Sequence, residues 1–299
     1  MKRILKCFLL LCLALVLQLT TIPQEVFAEE ENTDESIDMS QSILYQYNTD
    51  DPTIKSEIEF LKTNAISLTS QKYYKKLESK DSIKNSKIYT YSEYIKEIRK
   101  EKISENQTIN ESNGSIAYSI IPGTDYTKSN SWMELTVESY KLVGDQYKIY
   151  LHYRWLTRPI WQQDDTIAIG YDSNLTCDTT SVYGYHVQEP ILSPYSRSVV
   201  INRYSDNSVK TDIHGIASQF NIAIPNNIAY SLYGYIVGNF RFSNTNHISA
   251  NMEFFYGHQQ LSFDYNIQDA IDFATSGDVT LNIIGDQDEF KFADEFLRR

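Results

Sequence analysis

Cysteine is scarce in this chain of 299 residues, and two of its three cysteines, Cys7 and Cys12, lie within the first 28 positions. Once residues 1–28 are removed, Cys177 has no partner in the same chain, so an internal disulfide is excluded. The fold must then depend on its core alone. We expect Cys177 to be a half-buried apolar residue rather than a nucleophile, because the sequence pairs no base with it.

Long apolar runs are also lacking after the N-terminus. Basic residues within the first six positions precede an almost unbroken apolar stretch from Phe8 to Leu19, and Val26-Phe27-Ala28 has the composition of a cleavage site. A membrane-spanning helix takes about 20 apolar residues, so this run is too short. We expect a secreted protein whose signal peptide is cleaved near Ala28, with no transmembrane segment in the mature chain. Export without disulfides favours a Gram-positive source.

Positive charge is in deficit. The chain carries 27 Lys and Arg against 39 Asp and Glu, a net charge of −12, and loss of residues 1–28 would make it more acidic still. Binding to nucleic acid depends on clustered positive charge. The composition therefore excludes a nucleic-acid partner.

Known catalytic motifs are missing as well. The sequence has no zinc-protease His-Glu-x-x-His, no Gly-x-Ser-x-Gly, no phosphate-binding loop and no catalytic-cysteine signature, and its five histidines lack metal-ligand spacing. We therefore expect no catalytic residue, no metal and no cofactor. We expect His152 to be solvated on the polar face of its strand. A glycosidase remains an alternative, because its two catalytic carboxylates need not lie in a recognisable sequence motif.

Composition divides the mature chain into four regions. Residues 29–52 are acidic and polar, which predicts a disordered tether. Residues 53–105 lack Gly and Pro and show helical spacing of Ile and Leu, and Thr90 to Glu93 matches a capping box, so we predict two or three short amphipathic helices. Residues 106–116 form a polar linker, and residues 117–299 form a β-rich domain.

The β-rich region begins with a predicted hairpin. Apolar residues alternate through 131–143 and again from Tyr147 to Trp155, and Gly144-Asp145 between them is typical of a tight turn. The alternation places Trp155 on a buried face, with His152 and Arg154 on the opposite face. We predict one long antiparallel hairpin here.

Further strands are predicted at short intervals, separated by turn residues. Their predicted ranges are 166–171, 198–204, 216–224, 230–242, 248–256, 261–265 and 279–284. We interpret 230–242 and 248–256 as a second long hairpin, and 286–299 as a short helix on the domain edge. The predicted fold is a mostly β, antiparallel β-sandwich with a short helical N-terminal segment, and a closed barrel is the alternative.

The connection after the first hairpin carries the candidate ligand-binding residues. Pro159 ends the strand, Trp161 lies on the connection, and Arg158 flanks it on one side with the pair Asp164 and Asp165 on the other. Such a loop offers stacking, cation–π contact and hydrogen bonds to a ligand. The alternative is that Trp161 plugs the end of the sandwich.

The same segment carries a resemblance. A strand ending in Tyr-x-Trp, then Arg-Pro-x-Trp, then Asp-x-Ile-Ala-Ile-Gly-Tyr, over residues 153–171, resembles secreted β-rich proteins of Gram-positive bacteria without an assigned function. The likeness spans about residues 130–285. It implies the fold and the extracellular location, and it implies no catalytic residue.

These observations favour a secreted, non-enzymatic binding or interaction protein that recognises a cell-surface or glycan ligand. The abundance of Tyr, 23 residues against 13 Phe, suits a wet recognition surface, although Tyr also fills strand positions in many β-proteins. Two alternatives stay open. One is a secreted glycan hydrolase using paired carboxylates, and the other is a bacteriocin-like or toxin-like factor acting on membranes.

Overall fold

A computed structural model describes residues 39–47, 49–78, 87–111, 130–157, 159, 164–190, 197–203, 205–223, 230–259 and 287–298. These residues form two sheets of antiparallel strands with helices towards the N-terminus. The predicted β-sandwich with a short N-terminal helical segment is confirmed. The signal peptide and the strands predicted at 261–265 and 279–284 lie outside the described residues.

The described helices are two short 3₁₀ helices, Met39–Gln41 and Ile43–Gln46, followed by α1 (Pro52–Asn64) and α2 (Tyr91–Glu111). The strands are β1 (Ala65–Glu78), β2 (Ile88–Tyr89), β3 (Asn130–Leu142), β4 (Gln146–Trp155), β5 (Asp164–Tyr171), β6 (Leu175–Pro190), β7 (Ser198–Arg203), β8 (Val209–Asp212), β9 (Gly215–Asn221), β10 (Tyr230–Phe242), β11 (Ser249–Gln259) and β12 (Gln287–Leu297).

The strands divide into a seven-stranded and a five-stranded sheet. The order is β2-β1-β3-β4-β10-β6-β7 in the first and β12-β11-β5-β9-β8 in the second. Each sheet keeps its own edges, with β12 lying near β1 on one side of the sandwich. The arrangement is therefore two packed layers and not a closed barrel.

The first predicted hairpin is present, and its connection has three residues, 143–145, where a two-residue turn is predicted. Met133 pairs with Trp155 and Leu142 with Gln146, and the turn places Gly144 and Asp145 at φ 77° and 65°. Left-handed φ at two successive positions is what a type I′ hairpin turn requires. The buried face of β4, which includes Trp155, lies in the core between the two sheets.

The prediction that residues 230–242 and 248–256 form a second hairpin is wrong. β10 pairs with β4 and β6, whereas β11 pairs with β5 and β12 in the other sheet. The connection through residues 243–248 therefore crosses between sheets. Both strands have the alternation that a hairpin needs, but alternation identifies a buried face and does not identify the neighbouring strand.

Two segments predicted as helical are strands. Residues 65–78 form β1, which pairs with β3 along most of its length, and residues 287–297 form β12 at the edge of the five-stranded sheet. In β12, Phe292 and Phe296 lie on one face at an even spacing, which a strand satisfies as well as a helix. The helices on either side of β1 are confirmed, and Thr90 and Glu93 form the predicted capping box at the start of α2.

The prediction of a disordered tether over residues 29–52 is wrong for residues 39–47. Residues 39–47 and α1 pack on the outer face of the seven-stranded sheet and form a second core with it. The segment contributes Met39, Ile43, Leu44, Tyr47, Ile54, Ile58 and Leu61 to this core. Asp51 caps α1 by accepting from the Thr53 amide at 2.9 Å, and Pro52 starts the helix with its fixed φ.

Because of this cover, polar residues on the outer face of the sheet are buried. His152 is only 2% exposed, so the expectation that it is solvated is wrong. Lys148 is paired with Glu57 of α1 at 2.6 Å, and Arg197 with Asp51 at 2.8 Å. A buried charge without such a partner would be strongly destabilising.

Glu138 is the most deeply buried of these groups. Its carboxylate accepts from the Ile43 amide at 2.7 Å, from Ser42 Oγ at 3.2 Å and from Tyr140 Oη at 2.9 Å, and it lies 3.4 Å from Nε2 of His152. Burial acts to raise the pKa of Glu138, but His152 and the other donors outweigh it and hold the pKa below its usual value of 4.5. The carboxylate therefore fastens the N-terminal segment to the sheet.

Truncation of a buried side chain on either face of β4 should destabilise the protein. We expect Trp155→Ala to cost about 3–5 kcal/mol, as large core truncations do. We expect His152→Ala to cost about 1–3 kcal/mol, because it removes the partner of a buried carboxylate. Gln146→Ala, on the exposed end of the same strand, should stay within about 0.5 kcal/mol. Urea unfolding measures all three, and a His152→Ala cost equal to that of Gln146→Ala would contradict the buried network.

The contribution of Glu138 should depend on pH. Because its pKa is lowered in the folded state, its contribution is complete above 4.5 and is lost as pH falls through the lower, folded value. Glu138→Gln should therefore lower the free energy of unfolding at neutral pH, and the difference from wild type should shrink at about pH 3. Urea unfolding at the two pH values tests this. A difference independent of pH would show that the carboxylate charge contributes nothing.

Candidate functional site

A groove opens between the two sheets on the side where β1 lies near β12. Its volume is about 340 Å³. The described residues that line it come from five strands: Ser67, Thr69, Gln71, Val137, Ser139, Lys141, Tyr147, Met252, Phe254, Asp294, Glu295, Phe296 and Leu297.

The groove exists because the inward positions of β1 carry short polar side chains. Ser67, Thr69 and Gln71 alternate along the strand and face the other sheet, where a closed sandwich would place apolar residues. The paired positions on β3 include Ser139 and Lys141. The short side chains of Ser67, Thr69 and Ser139 cannot fill the roughly 10 Å between packed sheets.

One end of the groove is closed by an aromatic contact. Tyr73, the next inward residue of β1, lies with its ring centre 3.9 Å from that of Phe292 on β12. Its hydroxyl lies 2.7 Å from Oε1 of Gln71 and 3.4 Å from Oδ2 of Asp294. Burial, together with the charge of Asp294, raises the pKa of Tyr73 to about 12, so the phenol stays neutral and can donate.

The floor of the groove is apolar and largely aromatic. Tyr147 and Phe296 meet edge to face, with ring centres 5.0 Å apart and planes at 87°. Phe254 and Met252 of β11 complete the floor and are buried. An apolar floor with a few polar groups at the rim is the usual construction of a ligand site.

Of the sequence-predicted site residues, Asp164 and Asp165 lie on β5 and do not line the groove. Arg158 and Trp161 are outside the described residues. Asp164 accepts from Nδ2 of Asn221 at 2.6 Å, which links β5 to β9.

Asp165 is fully buried within a hydrogen-bond network. Oδ1 lies 2.8 Å from Nδ1 of His258, and Oδ2 accepts from the hydroxyl of Tyr256. That hydroxyl in turn accepts from Nε1 of Trp155 at 2.9 Å. Both oxygens of Asp165 thus have partners inside the protein, which joins β4, β5 and β11 at one end of the sandwich.

A second buried cluster involves a histidine and a serine without the features of a catalytic pair. Nε2 of His186 lies 3.0 Å from Oγ of Ser218, which also accepts from Asn202 at 3.1 Å. Burial lowers the pKa of His186 to about 3, so its ring is neutral. Its ring stacks on Phe220 at 3.7 Å, deep between the sheets. The cluster satisfies buried polar groups and is closed to a substrate.

The sequence does not predict the groove, because β1 and β12, which form two of its walls, are predicted to be helical. The signal was present in β1, where Ser67, Thr69 and Gln71 recur with period two. Without apolar residues this alternation does not distinguish a strand from a polar helix. Only the placement of β1 opposite β12 turns these positions into one wall of a groove.

Comparisons with known proteins do not identify the chain. No protein-family model and no curated protein matches it. Among solved structures, it is similar to the collagen-binding domain of a Staphylococcus aureus adhesin, at 8% identity and a TM-score of 0.27, covering 49% of this chain and 87% of that one. It is also similar to the collagen-binding subdomain of an Enterococcus faecalis surface protein, at 9% identity and a TM-score of 0.29, covering 52% and 91%.

A third similar structure is the collagen-binding domain of an Erysipelothrix rhusiopathiae surface protein, at 5% identity and a TM-score of 0.26, covering 57% of this chain and 66% of that one. TM-scores this low assign neither a shared fold nor a ligand. Separately, no helix within the described residues combines the length and the apolar character that crossing a bilayer requires.

The Asp165 network gives a prediction about stability. Tyr256→Phe removes the hydroxyl group that accepts a hydrogen bond from Trp155 and donates one to Asp165. The buried Trp155 Nε1 and Asp165 Oδ2 then each lose a partner. We expect a loss of about 1–3 kcal/mol in the free energy of unfolding. Tyr91→Phe, at a residue that is 62% exposed, is the matched control and should change little. Equal effects in urea unfolding would mean that the network does not hold the sheets together.

Proposed function

We propose that this protein is a secreted, non-enzymatic binding protein and that the groove between β1 and β12 is where it takes its ligand. One observation carries the proposal. Within the described residues, the sandwich core is interrupted along the inward positions of β1, where polar side chains replace apolar ones above an aromatic floor. Loss of apolar burial costs stability, so such a stretch is better explained by a ligand than by folding.

The carboxylates of the groove do not favour hydrolysis. The described lining contains Asp294 and Glu295, which are successive residues of β12. Successive side chains of a strand point to opposite faces, so the two carboxyl groups do not oppose each other across a bond. Glycoside hydrolysis uses two carboxyl groups that flank the scissile bond. Binding without catalysis therefore accounts better for this site.

A membrane-acting factor would need two long amphipathic hairpins able to unfurl. The hairpin of β3 and β4 is present, but residues 230–256 do not form a second one. β10 and β11 instead belong to different sheets, each paired on both sides. Releasing them would disrupt both layers of the sandwich.

Secretion, the second half of the proposal, is supported by the sequence of residues 1–28, whose basic start, apolar run and cleavage site are those of a signal peptide. The ligand would then be met outside the cell, on a cell wall or in a matrix. Arg158 and Trp161 remain a separate proposed ligand contact.

The test fills the groove and uses the neighbouring residue as control. Thr69 faces the groove, whereas Ser70 is exposed on the opposite face of the same strand. Thr69→Phe should weaken binding of the secreted protein to immobilised Gram-positive cell walls or to decellularised matrix by about tenfold or more, and Ser70→Phe should leave it unchanged. Thermal melts of both variants exclude unfolding. Equal binding by wild type and folded Thr69→Phe on both surfaces would overturn the proposal.

A further inference from the structure

We infer that the groove binds an uncharged, hydroxyl-rich ligand, a short neutral oligosaccharide. The inference rests on the proposed function, because it names the chemical class of the ligand for the same groove. Three features support it: the apolar floor with a partly exposed aromatic ring, the kind of polar group at the rim, and the sign of the rim charge.

The floor offers one partly exposed aromatic ring to a ligand. Phe296 is partly exposed above the buried rings of Tyr147 and Phe254. The C–H faces of a pyranose ring are apolar and flat, so they stack on such rings while the hydroxyl groups point to the sides.

The rim offers groups that both donate and accept hydrogen bonds. Ser67, Thr69 and Ser139 supply hydroxyl groups, and Gln71 supplies an amide. Sugar hydroxyl groups also donate and accept, and they match such a rim in several orientations. An extended peptide instead binds sheet proteins mainly through main-chain hydrogen bonds to an edge strand. The inward side chains of β1 therefore favour a sugar.

The charge of the rim disfavours an anionic ligand. Lys141 is the only cationic residue in the described lining, and Asp294 and Glu295 lie on the other wall. The whole chain carries a net charge of −12, which adds to the repulsion of anions. Acidic polysaccharides and phosphate-bearing polymers are thus disfavoured, and neutral sugars are not.

The size of the groove sets the length of the ligand. The inward positions from residue 67 to residue 71 span about 13 Å at 3.3 Å per residue. This length and the volume of about 340 Å³ suit a short oligosaccharide segment and not a single sugar ring.

The first experiment is an immobilised array of neutral oligosaccharides that includes chitotriose, cellotriose, maltotriose and mannotriose. We expect wild type to bind at least one of them, Thr69→Phe to bind it about tenfold or more weakly, and Ser70→Phe to bind it like wild type. No binding to any array member, or equal binding by the folded Thr69→Phe variant, would overturn the inference.

A second experiment separates this inference from the proposed function. A surface that binds the protein through the groove is treated either with periodate, which cleaves sugar diols, or with protease. Loss after periodate supports the inference. Groove-dependent binding that survives periodate and is lost after protease would overturn the sugar ligand and leave the binding function intact. Absence of any groove-dependent binding on the surfaces and on the array would overturn both.

Discussion

Burial of both faces of the seven-stranded sheet is the constraint on which the rest of this structure depends. One face packs on the five-stranded sheet, and the other is covered by residues 39–64. Polar side chains on the covered face then need partners away from water, and the N-terminal segment supplies them through Asp51, Glu57 and the amide of Ile43. The same N-terminal segment therefore supplies both the apolar cover of the sheet and the polar partners of the side chains that it buries.

The same sheet is incompletely filled at one edge. Strand β1 extends the sheet beyond β3, but its inward positions are too short to reach β12 until Tyr73 meets Phe292. The sandwich is closed on one side of that contact and open on the other. The groove thus follows from a few side chains in an otherwise regular packing, and the proposed function and ligand class both depend on them.

Prediction from the sequence succeeded where one segment carried its own apolar alternation. The hairpin of β3 and β4 and the strand from Tyr230 to Phe242 fall within a residue or two of their predicted ranges. It failed for β1 because polar residues occupy its inward positions, and for His152 because the cover comes from a distant segment. The groove required both β1 and β12, so it could not be predicted once those strands were assigned to helices.

The sequence by itself determined the fold class, the turn at Gly144 and Asp145, the capping box at Thr90 and the lack of an internal disulfide in a chain cleaved after Ala28. These features depend on residues that are close in the sequence or on composition alone. The tertiary structure decided which strands pair, which polar residues are buried and where the sandwich opens. Those outcomes depend on contacts such as Ser42 with Glu138 or Tyr73 with Phe292, between residues far apart in the chain, and no local pattern specifies them.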